Sequence, residues 1–390
     1  MRLALVTAVS FSLIVSAVPF VLAATDEPPA GVPLQMADVA KGKNPAISGL
    51  AKSLHVAYEN DAAIFYSPST DAGKSWGASS KVSGAIVSCT SPAIATSKDG
   101  TVHIVFQGKS SNEKASGVFY TRSADAGKTF SDPVDISNTP TESSEPQITI
   151  GGDDSIHVVW VDALPAPAGP DIYYTVSTDA GKSWSKREDL SNTPGGISFN
   201  PCVAVGSDAR IHVAWSDTSS GDQQPDIFFV QKSENGWSKP ADLSRDTGHS
   251  SHPRAACGEG GKAFIVWCDD SRKEKAADVL FVSERKPGQF GKPLSVSEKL
   301  GESRQPDFVA EPNGRMAFVW SGSRKGQQVP SIWARAGNGG ALTNSRELHR
   351  LQGASVHPAI TLLDKKAYIV WEESNSGSTI VRSCELDLSK

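Results

Sequence analysis

The chain has 390 residues, with 38 Lys and Arg against 43 Asp and Glu, and a formal net charge of −5. That balance gives no reason to expect nucleic acid or an anionic membrane surface as a partner. Length alone suggests two or three domains, but a repeat along the chain overrides that reading.

The chain opens with Arg2, an apolar stretch from Leu3 to Leu22, and a small-residue end at Ala23-Ala24, followed at once by Asp26-Glu27-Pro28-Pro29. This predicts a cleaved secretory signal over residues 1–24 and a secreted or periplasmic protein. The competing reading is a retained N-terminal anchor. No later stretch is apolar for long enough to span a membrane, so none is expected to insert after cleavage.

From residue 25 on, two phrases alternate. The first is a polar residue followed by Pro, at Pro45, Pro92, Pro146, Pro201, Pro253, Pro306 and Pro358, spaced 47 to 55 residues apart. The second is a β-branched run closed by an aromatic. It appears as Leu54 to Tyr58, Val102 to Phe106, Ile156 to Trp160 and Ile211 to Trp215, then as Ala263 to Trp267, Met316 to Trp320 and Ala367 to Trp371. Both alternating faces of these runs are apolar, which suits a sheet covered on both sides. In the third unit four strands are predicted: Pro146 to Ile150, Ile156 to Trp160, Asp171 to Val176, and a stretch around Arg187 to Leu190. Four antiparallel strands repeated seven times predict an all-β, seven-bladed β-propeller over residues 25–390 as one domain.

The seventh unit has a third strand, Ser378 to Cys384, and then the chain ends. Val32 to Asp38 precedes Pro45 much as Lys239 to Ser244 precedes Pro253. The N-terminal strand is therefore expected to close the last blade as its outer strand.

Ser-x-Asp-x-Gly-x-x-Trp stands between the third and fourth strands of early units. It occurs as Ser69, Asp71, Gly73, Trp76 and as Ser177, Asp179, Gly181, Trp184, with a Phe variant in Ser123, Asp125, Gly127, Phe130. Later copies, Ser233 to Trp237 and Ser283 to Phe290, decay. These turns resemble the Asp-box (BNR) repeats of the sialidase superfamily. The resemblance implies a structural role for Asp71, Asp125 and Asp179, and identifies a fold feature rather than an activity. Sialidases hold the substrate carboxylate with three arginines, one from an Arg-Ile-Pro phrase. Here Arg304-Gln305-Pro306 alone is similar, in the sixth unit, so no catalytic residue is carried over.

Candidate ligand residues come from the loops expected at one mouth of the channel. Glu145, His252, Arg304, His357 and Glu373 do not recur, so the fold does not demand them. Asp162, Asp217 and Asp269 recur two residues after the closing aromatic, and a turn-capping role competes with ligand binding there. His55, His103, His157 and His212 recur inside second strands and read as packed sheet residues. No metal site and no cofactor is expected. Cys89, Cys202, Cys257, Cys268 and Cys384 form an odd set, allowing at most two bridges.

Two functions follow, beside a third, a metal or redox accessory protein, that rests on His252, His357 and the odd cysteine. One is a binding or scaffold module whose channel mouth holds a glycan or an extracellular or periplasmic protein. The other is a divergent sialidase-like glycoside hydrolase using paired carboxylates. The missing arginines favour the first, and acids at the mouth are expected to repel an anionic sugar.

Overall fold

The computed structural model describes residues 34–388 apart from 112, 114, 164–168, 193–194, 222–223, 246–247, 272–275, 298–299, 339–340, 350–352 and 376. The proposed signal, residues 1–24, lies outside the described residues.

The second strand of each repeat sets the architecture. Ile156–Ala163 has seven of its eight residues buried, on both faces. It lies between Ser143–Ile150 and Pro170–Ser177, and Glu188–Asp189 completes the sheet. Seven such antiparallel sheets follow one another along the chain. Their first strands are Lys43–Leu50, Val87–Thr96, Ser143–Ile150, Ser198–Val205, Ser250–Cys257, Ser303–Ala310 and Ala354–Leu363, which define blades one to seven.

The apolar core is divided the same way. Each of its seven clusters joins two neighbouring blades. Ala57, Ile64 and Tyr66 of blade one pack with Ile94, Ile104 and Phe106 of blade two. The series ends with Tyr368 and Val370 of blade seven against Leu54 and Val56 of blade one. The chain is thus a seven-bladed β-propeller, and its ring is closed by packing.

Closure is also made by hydrogen bonding. Met36–Lys41 pairs antiparallel with Ser378–Asp387 and forms the outer strand of blade seven. The observed strand lies a few residues beyond the predicted Val32 to Asp38, and the Asp38–Arg382 ion pair at 3.1 Å fastens it.

The Ser-x-Asp-x-Gly turns are built alike in three blades. Ser177 Oγ donates to Asp179 Oδ1 at 2.8 Å, and Asp179 accepts from Ser183 N at 2.9 Å and Ser183 Oγ at 2.6 Å. Asp71 and Asp125 repeat these contacts. Hydrogen bonds to the charged form hold all three carboxyls below the usual range, Asp71 at about 2.

The aromatic that ends each turn wedges against the preceding blade. Phe130 meets Tyr66, Trp184 meets Tyr120, Trp237 meets Tyr174 and Phe290 meets Phe229, edge to face at 4.9 to 5.1 Å. The recurring histidines brace these rings from inside. His55, His103 and His157 contact Tyr66, Tyr120 and Tyr174 through Nδ1 and Oη at 2.6, 2.8 and 2.8 Å. Burial lowers all three imidazoles to about 4. His212 faces Phe229, which has no hydroxyl, and uses Nε2 on Gly261 O at 3.1 Å instead.

A pH dependence follows. The unfolded chain takes up protons at these histidines below about pH 6.5, whereas the folded chain resists until about 4. Stability is therefore expected to fall as pH drops through that window. It should fall again below about pH 4, because the depressed turn aspartates stabilise the fold only while ionised. Melting temperature measured from pH 7 to 3 checks this, and a flat profile would contradict it. In His103→Gln the upper limb should be shallower.

All five cysteines are unbridged, and all but Cys257 are fully buried. Among the described residues no helix is long and apolar enough to cross a membrane.

Candidate functional site: the channel ring

Each first strand carries one residue too many for its partner. The register slips between Ser144 and Gln147, between Ser251 and Arg254, and at the equivalent place in the other five blades. The Pro sits in this bulge, where its missing N–H leaves no gap in the ladder. The residue before it adopts positive φ in all seven blades: Asn44, Ser91, Glu145, Asn200, His252, Gln305 and His357 lie between 46° and 54°. No glycine is used at these strained positions. Such strain in non-glycine residues is a pointer to function.

All seven bulge residues line one cavity of about 450 Å³ on the propeller axis. The residues just after each Pro, including Gln147, Cys202, Arg254 and Asp307, line the same cavity.

Side chains of one blade hold the bulge of the next. Glu145 Oε2 accepts from Asn200 N at 2.6 Å and from Asn200 Nδ2 at 3.1 Å. Glu59 Oε1 accepts from Ser91 N at 2.7 Å and from Asn44 Nδ2 at 2.8 Å. Gln305 Oε1 accepts from His357 N at 3.1 Å. Glu372 Oε2 accepts from Asn44 N at 3.2 Å and lies 3.0 Å from His357 Nδ1. Four of the seven junctions are tied in this way, so the ring is fixed before any ligand arrives.

The electrostatics are lopsided. Glu59, Glu145 and Glu372 stand on blades one, three and seven. His252 and Arg254 stand on blade five. Burial, with help from the Arg254 and His357 charges, brings His252 down to about 4, so it is neutral. Burial pushes the Asp307 carboxyl up, against the pull of Arg254 3.9 Å away. Burial raises the Cys202 thiol to about 12, leaving it unreactive.

The residues expected at the mouth divide into two groups. Glu145, His252 and His357 reach the cavity. Arg304 lies beside it, mostly exposed, with its guanidinium on Glu302 at 3.0 Å, and it lines an adjoining pocket with His252. Asp162, Asp217, Asp269 and Glu373 are buried and do not line the cavity. Asp162 accepts from Thr141 Oγ1 at 2.7 Å and pairs with Arg187. Asp217 and Asp269 cap the turns at Ser219 and Ser271. Glu373 pairs with Arg382 at 2.9 Å. The expectation that these four acids repel an anionic sugar at the mouth is therefore corrected. Among the described residues the carboxylates lining the cavity are Glu145 and Asp307, while Glu59 and Glu372 are buried behind the ring and bonded to its bulge residues.

Glu59, Glu372, Arg254 and Asp307 were not singled out from the sequence. Glu59 and Glu372 directly follow a closing aromatic, and Arg254 and Asp307 directly follow a repeat Pro. Comparing those two columns between repeats would have found them. Among the described residues no cluster of three or more His, Cys, Asp or Glu is suited to a metal ion.

No protein-family model and no curated protein sequence matches the chain. Solved structures do. An ulvan lyase of polysaccharide lyase family PL25, bound to a GlcA-containing saccharide, aligns with TM-score 0.61 at 12% identity, over 89% of this chain and 95% of that one. A Dyadobacter fermentans protein of unknown function aligns with TM-score 0.56 at 15% identity, over 77% and 94%. A Trypanosoma rangeli sialidase in complex with sialic acid gives 0.50 at 14% identity, over 92% and 59%. At these identities the likeness is one of fold: the chain shares the propeller of sialidases and polysaccharide lyases.

Proposed function

We propose that this protein is an exported Asp-box propeller of the sialidase type, lacking the arginine triad, that binds a glycan at the mouth of its channel. The observation that carries the reading is the ring itself. Seven polar side chains converge on one cavity of about 450 Å³, and inter-blade hydrogen bonds hold them in place. Amide, carboxylate and imidazole groups in a fixed ring match the alternating donors and acceptors of sugar hydroxyls. The leader residues 1–24 and the saccharide bound by one structural neighbour support the same reading.

A glycan array followed by calorimetry tests it. Asn200→Ala removes a ring amide and is expected to weaken the selected glycan by about tenfold. Unchanged affinity in that variant would remove the channel from the reading.

A divergent hydrolase is the second reading, and Asp307 favours it, because a carboxyl raised by burial can serve as a proton donor. Sialosides are not expected to be its substrate. Clamping a sugar carboxylate takes several planar guanidinium forks. Among the described residues Arg254 is the one arginine lining the channel cavity, and Arg304 is turned to Glu302. No release of fluorophore from a sialoside is expected over about pH 4–8. Turnover lost in Arg254→Ala would reverse this.

A further inference from the structure

Blades four and five share a buried device. Asp217 Oδ2 accepts from Ser198 Oγ at 2.7 Å and from Trp215 Nε1 at 2.9 Å. Asp269 Oδ2 likewise accepts from Ser250 Oγ at 2.9 Å and Trp267 Nε1 at 3.0 Å. A hydroxyl and an indole N–H thus converge on one carboxylate oxygen.

Blade six keeps both donors and lacks the acid. Ser303 and Trp320 occupy the equivalent positions, but Gly322 stands opposite Ser303, where Asp217 stands opposite Ser198 and Asp269 opposite Ser250. Trp320 Nε1 and Ser303 Oγ are both buried and have no hydrogen-bond partner. Buried donors without an acceptor are costly, and blade six brings two of them together where blades four and five place an aspartate. A Cβ built on Gly322 would lie 3.2 Å from Trp320 Nε1, so the indole N–H is beside the space that the missing side chain would enter.

That space adjoins a cavity. Gly322 and Ser321 wall a pocket of about 530 Å³ with Cys268, whose Sγ contacts Ser303 O at 3.4 Å. Arg304 lines the same pocket, 58% exposed. The pocket wall thus carries the Arg304 guanidinium, paired with Glu302, while the two orphaned donors lie behind the wall next to Gly322.

We propose that blade six is a carboxylate-binding site, in which a ligand's carboxylate takes the place of the aspartate that Gly322 lacks. One carboxylate oxygen accepts from Trp320 Nε1 and Ser303 Oγ, as Asp217 and Asp269 do in their blades, and the Arg304 guanidinium exchanges Glu302 for the ligand. Access is through the pocket. The Glu302 carbonyl, 2.9 Å from where a Gly322 Cβ would sit, is the group that must give way. A small planar carboxylate suits the narrow space better than a tetrahedral anion. The pocket adjoins the channel ring, sharing His252 and Gln305 with it, but the site does not depend on the glycan reading.

The indole N–H signal of Trp320 reads the site directly in a nitrogen-15 NMR titration, once assigned with Trp320→Phe. Sodium acetate, sodium glucuronate and glucose are the probes, with sodium chloride as the salt control. The Trp320 signal should move with acetate and glucuronate and stay still with glucose and chloride. Movement with glucuronate alone also supports the site and identifies a sugar acid as the source of the carboxylate. Ser303→Ala should weaken acetate about tenfold, and Arg304→Gln about threefold. Gly322→Asp supplies the carboxylate internally, so its Trp320 signal should start shifted and ignore acetate. If Gly322→Asp does not fold, the Ser303 and Arg304 variants carry the test. A Trp320 signal unmoved by either carboxylate, or moved equally by glucose, would overturn the proposal.

Discussion

Removal of residues 34–41 is expected to leave a protein that is insoluble or melts roughly 8 °C or more below the intact chain, a loss on the order of 4 kcal/mol. Met36–Lys41 is the outer strand of blade seven and the piece that joins the two ends of the ring. Its ladder bonds contribute about 0.5–1.5 kcal/mol each. Val39, 8% exposed, adds roughly 1.5 kcal/mol of apolar burial. Ser383 Oγ also donates to Ala37 O at 3.4 Å. The truncated blade exposes the free edge of the long strand Ser378–Asp387, and unpaired edges of that kind associate with other chains. Thermal melts followed by circular dichroism, with sedimentation to detect association, check the result. A truncated protein that melts like the intact one would show that the seven core clusters hold the ring without the strand.

The architecture was readable because the fold repeats its demands. Every second strand is covered on both faces, so the last three residues of Ile156 to Trp160 and of each of its six counterparts are apolar at consecutive positions, a pattern that suits a doubly covered strand. The site was readable only in part, and the bulge explains why. In a regular strand, residues two apart share a face. Counting that way through Ser144-Glu145-Pro146-Gln147 fails, because the extra residue changes the parity. Glu145, His252 and His357 were found because they stand directly before Pro. Arg254 and Asp307 are not legible in the sequence by such counting, because the side on which they emerge depends on the slip. The recurring acids depended on something else a linear reading lacks, the partner across the strand. Asp162 is opposite Ser143 and receives Arg187 from just before the fourth strand, while Asp217 and Asp269 receive the indoles of their own blades. The first strand of blade three is predicted from Pro146 to Ile150, yet it starts at Ser143 and passes through the Pro in its bulge.

The second large effect separates three glycines that the sequence presents as equals. Gly73, Gly127 and Gly181 hold the same place in the same turn, all at positive φ between 78° and 88°. Alanine at any of them costs about 1 kcal/mol in backbone strain. The surroundings differ sharply. A Cβ on Gly181 would overlap the Tyr120 hydroxyl and lie 2.5 Å from Cζ, and Gly127 meets Tyr66 in the same manner. Neither tyrosine can withdraw. Tyr120 is 2% exposed, held by His103 at 2.8 Å and flanked by Trp184. Tyr66 is fully buried, held by His55 at 2.6 Å and flanked by Phe130. At the seam between blades seven and one, Ser383 occupies the place of the tyrosine, and the nearest atom to a Gly73 Cβ is Leu54 Cδ1 at 3.2 Å. Gly127→Ala and Gly181→Ala are therefore expected to lose about 3–4 kcal/mol each through overpacking added to strain. Gly73→Ala should lose only about the 1 kcal/mol of strain. Urea denaturation of the three variants measures the contrast. Adding Tyr120→Phe to Gly181→Ala removes the overlapping oxygen and should restore part of the loss. Three equal losses, or no rescue by Tyr120→Phe, would mean that the backbone turn alone demands glycine and that the tyrosine brace between blades is incidental.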